Sequence, residues 1–352
     1  MGAHVTLAFP TIHPLSFFEP SGAYEACISD LSSASGKLCA LDQSLNRTAI
    51  DIAYFSSPEE CPLTVSRWNS PNSSRDFSVL VVSADLTEFA QKFQSELAVT
   101  ERPKTSRNVA HLTRSYAVQN LEMEVSNLFL LANILRPGSL TVAPGFSFFN
   151  DEYVGPTSPF YSEDWSRAID ASKKYKWPDY QSLSINQAWS WLEAAKCIEN
   201  GIARGRVGRA LAALSHIAPP QLEHGSTMNL AWILLALESL YCSGSRGLKE
   251  QLVAKSELLL GQRSQNKKDF GAMYDFRSRL LHGDMDMPMR YSELNAVPDF
   301  ERHFDDLGNY EGLGLAALLA TLQIMVKNNW CNLSFPYSVV GEPNAQSKLE
   351  TR

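Results

Sequence analysis

The chain has 352 residues, 44% of them hydrophobic and 20% charged, a globular composition with length enough for two cores of ordinary size. Its formal net charge of -7 excludes a protein that coats nucleic acid through many scattered cations, so any RNA must meet a local basic patch. Six cysteines without a C-x-x-C pair exclude a zinc knuckle or a dense disulfide framework, and they fit reduced thiols in a cytoplasmic protein.

The opening stretch, MGAHVTLAFPTIHPL, lacks the basic start and continuous apolar run of a signal peptide and reads as part of the fold. Runs at 4–9, 49–55, 63–68, 77–82 and 140–149, separated by Pro, Ser and Asn clusters, predict short strands. Asp85 with Glu88 predicts a capped helix to about residue 97, and 122–135 predicts a second that Pro137-Gly138 ends. Residues 70–75 and 100–107 read as exposed loops. Between 150 and 184 the chain turns aromatic and turn-rich, which places a domain boundary at 180/181. Residues 1–180 are therefore expected to form a mixed α/β or β-rich domain, available for sensing or recognition.

Beyond the boundary helical periodicity dominates. The segment 185–217 reads as one helix or as two broken at Gly201 or Gly205, followed by helices at 227–242, 248–260, 268–282 and about 310–327. Five helices over 181–335 predict a bundle with a tail at 336–352, and the fold class is α+β. The most apolar stretch, 313–326, is shorter than the roughly 20 residues that span a bilayer. It reads as a buried core helix, and no membrane partner is expected.

Within 268–282 a charge stands inside an apolar stripe. At about 100° per residue, Phe270, Met273, Phe276, Leu280 and Leu281 share one arc, and Arg277 falls within it. A guanidinium there needs a carboxylate or a phosphate. Glu238, in the apolar run NLAWILLALESLY, is the carboxylate to expect, and a structural pair and a site in which Glu238 orients Arg277 both remain open. His282 follows, next to Gly283, a helix stop. On a regular helix Arg277 and His282 stand about 140° and roughly 7.5 Å apart, yet a terminal imidazole can turn back toward the long Arg side chain. A plain helix-end His is the bland alternative. Ser278 shares a face with His282 and can hold its ring or a phosphate; Tyr274, a turn earlier, can stack on a base or simply edge the core. Arg279 is free to pair with Asp275 on the surface. Arg204, Arg206 and Arg209 form the most basic local cluster, a weak RNA contact or a solvated helix face. No histidine spacing suits a metal, and no cofactor loop is present.

The string Tyr274-x-x-Arg277-Ser278-x-x-x-His282-Gly283, with Ala236–Tyr241 before it, resembles the R-x4-6-H signature of HEPN ribonucleases and is similar to their Apea-like branch, over the C-terminal half only. The resemblance implies a helical bundle that dimerises so that two such helices face each other. It also implies metal-independent RNA cleavage by Arg277 and His282, with attack by the 2′-hydroxyl, in anti-phage defence or as a toxin. A phage-derived or protein trigger at the N-terminal domain would fit that setting. A HEPN module that binds protein or nucleotide without catalysis is the alternative the same residues allow.

Overall fold

The computed structural model describes residues 2–12, 22–41, 45, 47–63, 77–100, 106–157, 165–199, 201–217, 227–262, 267–285 and 298–335. The chain is α+β, an N-terminal antiparallel sheet with a C-terminal helical part. In chain order the first half holds β1 (His4–Ile12), α1 (Ala23–Ala34), β2 (Leu38–Cys39), β3 (Ala49–Phe55), β4 (Ser78–Asp85), α2 (Thr87–Thr100), α3 (Ser106–Leu135), β5 (Thr141–Val142), β6 (Gly145–Phe149) and β7 (Glu152–Thr157). The second holds α4 (Ser166–Tyr175), α5 (Ile185–Ala195), β8 (Ile198–Glu199), β9 (Ile202–Ala203), α6 (Gly205–Ser215), α7 (Thr227–Tyr241), α8 (Leu248–Leu260), α9 (Lys267–His282) and α10 (Pro298–Asn328).

The sheet runs β2-β3-β4-β1-β6-β7, with β5 also paired to β1. The N-terminal stretch is thus a central strand, with β4 on one edge (Leu7 opposite Val82) and β6 on the other (Leu7 opposite Ser147). Alternation sends Val5, Leu7 and Phe9 to one face, where Phe9 meets Phe129 of α3 edge-on at 5.4 Å. Ala8, Val79, Val81 and Phe148 form a smaller apolar cluster on the other face. With both faces covered, β1 and β4 read as nearly continuous apolar runs.

Four strand expectations meet strands, and the fifth, at 63–68, lies outside the described residues apart from Leu63. Ala143-Pro144 divides the run at 140–149 into β5 and β6, because a proline cannot donate to the ladder. Asp85 caps α2 by accepting from the Thr87 amide (3.0 Å) and hydroxyl (2.5 Å), which hold its carboxyl below the usual range. The loop expected at 100–107 lies outside the described residues at 101–105, between the end of α2 at Thr100 and the start of α3 at Ser106, a helix that starts well before residue 122. Its early turns carry polar residues because only one side packs, against α2 and the sheet. The turn-rich segment before 184 also contains β7 and α4.

Both glycines break the segment 185–217. Between α5 and α6 the chain forms the β8–β9 hairpin, closed by the Arg204 amide on the Cys197 carbonyl at 2.7 Å. A capping box starts α5, with the Gln187 amide donating to Ser184 Oγ at 3.3 Å and the Ser184 amide to Gln187 Oε1 at 2.9 Å. Helix α10 begins earlier than the sequence predicts and is the hub of the bundle, packed on α3, α4, α5, α7, α8 and α9. Its stretch His303–Asn328 is long and apolar enough to cross a membrane, contrary to the expectation from 313–326. In the fold, 83% of its most apolar window is buried, as suits a core helix surrounded by others.

One hydrophobic cluster runs through both halves, from Leu7 and Phe129 to Leu237 and Leu318. Polar bonds cross the expected boundary as well. Asp30 of α1 accepts from Arg136 (2.8 Å) and from the amide of Ile185 at the start of α5 (2.9 Å), and Gln323 of α10 donates to the Ile134 carbonyl at 2.8 Å. All six cysteines are free.

Candidate functional site

Helix α9 buries Phe270, Met273, Phe276 and Leu280, each at most 8% exposed, against α7, α8 and α10. Leu281, expected on the same arc, is 48% exposed. The buried arc is centred near Met273 and Leu280, so Leu281 falls on its flank with Tyr274. Arg277 stands at the margin, its side chain 21% exposed, and faces α7.

On α7 it meets Glu238, whose side chain is 15% exposed, with Arg277 Nη1 and Glu238 Oε1 at 3.8 Å. That separation is an ion pair without a hydrogen bond. Arg277 Nε and Glu238 Oε1 are both buried and have no hydrogen-bond partner among the described residues. Tyr274 completes the cluster: its ring lies 5.9 Å from the guanidinium carbon, and its hydroxyl is close to the Glu238 carboxylate. Burial first, then the neighbouring Glu238 carboxylate, push the Tyr274 phenol up to about 12, so it stays protonated at any physiological pH. Sequence and structure therefore bring Arg277, Glu238 and Tyr274 together.

Gly283 ends α9 as expected. Its φ of 78° lets the Asp284 amide reach back to the Arg279 carbonyl (2.8 Å) and the Gly283 amide to the Leu280 carbonyl (3.4 Å), which is a Schellman stop. His282 is the last helical residue, exposed, its ring without a hydrogen bond or ion pair among the described residues. The half-buried Ser278 stands one turn before it. Arg279 does not pair with Asp275, because Lys249 of α8 takes that carboxylate at 2.5 Å.

The arginine cluster is divided among separate tasks. Arg204 pairs with Glu199 at 2.6 Å, and Arg209 is exposed. Arg206 turns inward to the end of α7, where Nε donates to the Ser239 carbonyl at 3.0 Å and Nη2 to the Cys242 carbonyl. Lys255 of α8, 4% exposed, joins it there: Nζ donates to the Tyr241 carbonyl at 2.9 Å and to Gln251 Oε1 at 2.7 Å, 5.4 Å from the Phe335 ring. Two cations thus satisfy the last carbonyls of the helix that carries Glu238, where its dipole is negative. Lys255 escaped the sequence reading although it bears the same mark as Arg277, a cation within an apolar helix. Lys255→Met removes a charged donor and leaves the Tyr241 carbonyl dry. A loss of about 2 kcal/mol is expected, read as a lower urea midpoint at unchanged slope.

Among the described residues no group of His, Cys, Asp and Glu side chains is arranged to hold a metal ion. No family model matches the chain, and no curated protein or solved structure matches it either.

Proposed function

We propose that α9 carries the cleavage centre of a metal-independent endoribonuclease of HEPN type. The observation that carries this reading is the half-made pairing of Arg277. A guanidinium held at the seam of two helices, its side chain 21% exposed and its carboxylate 3.8 Å away without a hydrogen bond, is positioned to take a phosphate on its open side as a further partner. Glu238 and Tyr274 fix its orientation, and the exposed His282 stands five residues on, at the end of the same helix.

The reaction would use the substrate's own nucleophile. His282 takes the proton of a ribose 2′-hydroxyl, the 2′-oxygen attacks the adjacent phosphorus, and the 5′-oxygen leaves with a proton returned to it. Arg277 balances the charge that grows on the phosphoryl oxygens, and Ser278 is placed to help hold the ring or the phosphate. The products are a 2′,3′-cyclic phosphate and a 5′-hydroxyl, and DNA, which lacks the nucleophile, is inert. A homodimer in which two α9 helices face each other would cover Leu281 and assemble one composite site. The setting this reading favours is anti-phage defence or a toxin, with a trigger received by the sheet half.

The test is incubation of wild-type and His282→Ala protein with mixed cellular RNA in EDTA, followed by analysis of product ends. Cyclic phosphates from the wild type alone are expected. Equal cutting by both proteins, or 3′-hydroxyl ends, would overturn the mechanism. The second reading, a non-catalytic binding module, is favoured by Lys255 and Arg206, which show this bundle using cations in its apolar seams for structure.

A further inference from the structure

Away from α9 the fold contains a cleft of about 850 Å³ where α3 passes from the sheet to the bundle. One wall comes from β1 and β7, the other from the β8–β9 hairpin and α6, and α3 is the floor. The size lies within the range of small-molecule pockets, roughly 300 to 1,000 Å³. Phe9, Leu130 and Leu211 line it with buried apolar surface.

We propose that this cleft binds a small organic cation, an apolar body bearing an ammonium or amidinium group. The charged residues that line it are Glu122 and Glu124, and among the described residues no Lys, Arg or His does. Glu124 is only 2% exposed and has a partner of its own, so Glu122 is the carboxylate the cleft offers to a ligand. Glu122, half-buried, has no hydrogen bond or ion pair on its carboxylate among the described residues. The neighbouring Ser126 hydroxyl is committed to the Glu122 backbone carbonyl at 2.8 Å and does not satisfy it. A carboxylate at the edge of an apolar cleft matches a forked donor such as an amidinium, and the amides of Gln119 and Asn127 offer further polar anchors. Anions are disfavoured by the Glu122 carboxylate, so nucleotides and RNA do not belong here. The cleft is separate from the chemistry proposed for α9.

Titration calorimetry on the full chain tests this with 4-aminobenzamidine, its neutral analogue 4-aminobenzamide, and 4-aminobenzoate. The amidine is expected to bind at one site per chain, at least about tenfold tighter than the amide, with no binding of the benzoate. Glu122→Gln should remove that preference, and Ala212→Trp, which fills the cleft from its α6 wall, should abolish binding, both at the wild-type melting temperature. No amidine binding up to about 10 mM, or equal binding of amidine and amide, overturns the site. Undiminished binding in Ala212→Trp overturns it too, by placing the attraction on the acidic surface.

Discussion

Arg277→Met is expected to lower stability by about 2 kcal/mol and RNA cleavage by about 100- to 1000-fold, and adding Glu238→Gln should restore the stability alone. The single change strands the Glu238 carboxylate, 15% exposed, against the apolar seam of α7 and α9. Breaking a fully buried pair costs more than this, but the 3.8 Å separation and the residual exposure of both partners place this pair at the low end. Glutamine at 238 removes the charge and keeps the side chain's shape, so the double variant has little left to destabilise it. If the pair is only structural, single and double variants differ in urea unfolding and RNA is untouched throughout. If Arg277 binds the reacting phosphate, initial rates stay low in both while the unfolding midpoint recovers. Cleavage at the wild-type rate by Arg277→Met would remove the site from α9.

Gly145→Ala is expected to destabilise the protein by about 3 kcal/mol or more, or to leave it insoluble. A Cβ at this first residue of β6 would lie 2.1 Å from the Ala8 carbonyl oxygen and 2.6 Å from Phe9 Cδ1. Neither atom can yield cheaply. The carbonyl belongs to the central strand, held from the other side by β4, and Phe9 is fully buried against Phe129. Relief requires β6 to part from β1, which breaks the sheet near its middle. The control is Gly155→Ala on β7, where a Cβ has nothing within 4 Å. That variant should stay within about 0.5 kcal/mol of wild type in urea unfolding, and equal losses at both positions would refute the steric account.

How much of this was legible beforehand follows from the range of the forces. Strands β1, β3 and β4, the helices from α7 to α9, and the stop at Gly283 depend on periodicity, turn chemistry and caps, which act within a few residues and are written in the local string. The pairing of Arg277 with Glu238 was also legible, because each is a charge inside an apolar helix and such charges require each other. Periodicity says that a side chain is on the flank of a helix and not which neighbour stands there. For that reason Leu281 proved exposed, Asp275 went to Lys249, and Arg206 and Lys255 turned to the carbonyls at the end of α7, partners fixed by how α6, α7 and α8 pack. The continuous core across residue 181 and the cleft under α3 arise in the same way, from elements far apart in the chain. The sequence by itself determined which side chains must find a charged partner, and the tertiary structure decided which partner, because burial sets the need locally while packing supplies the answer from a distance.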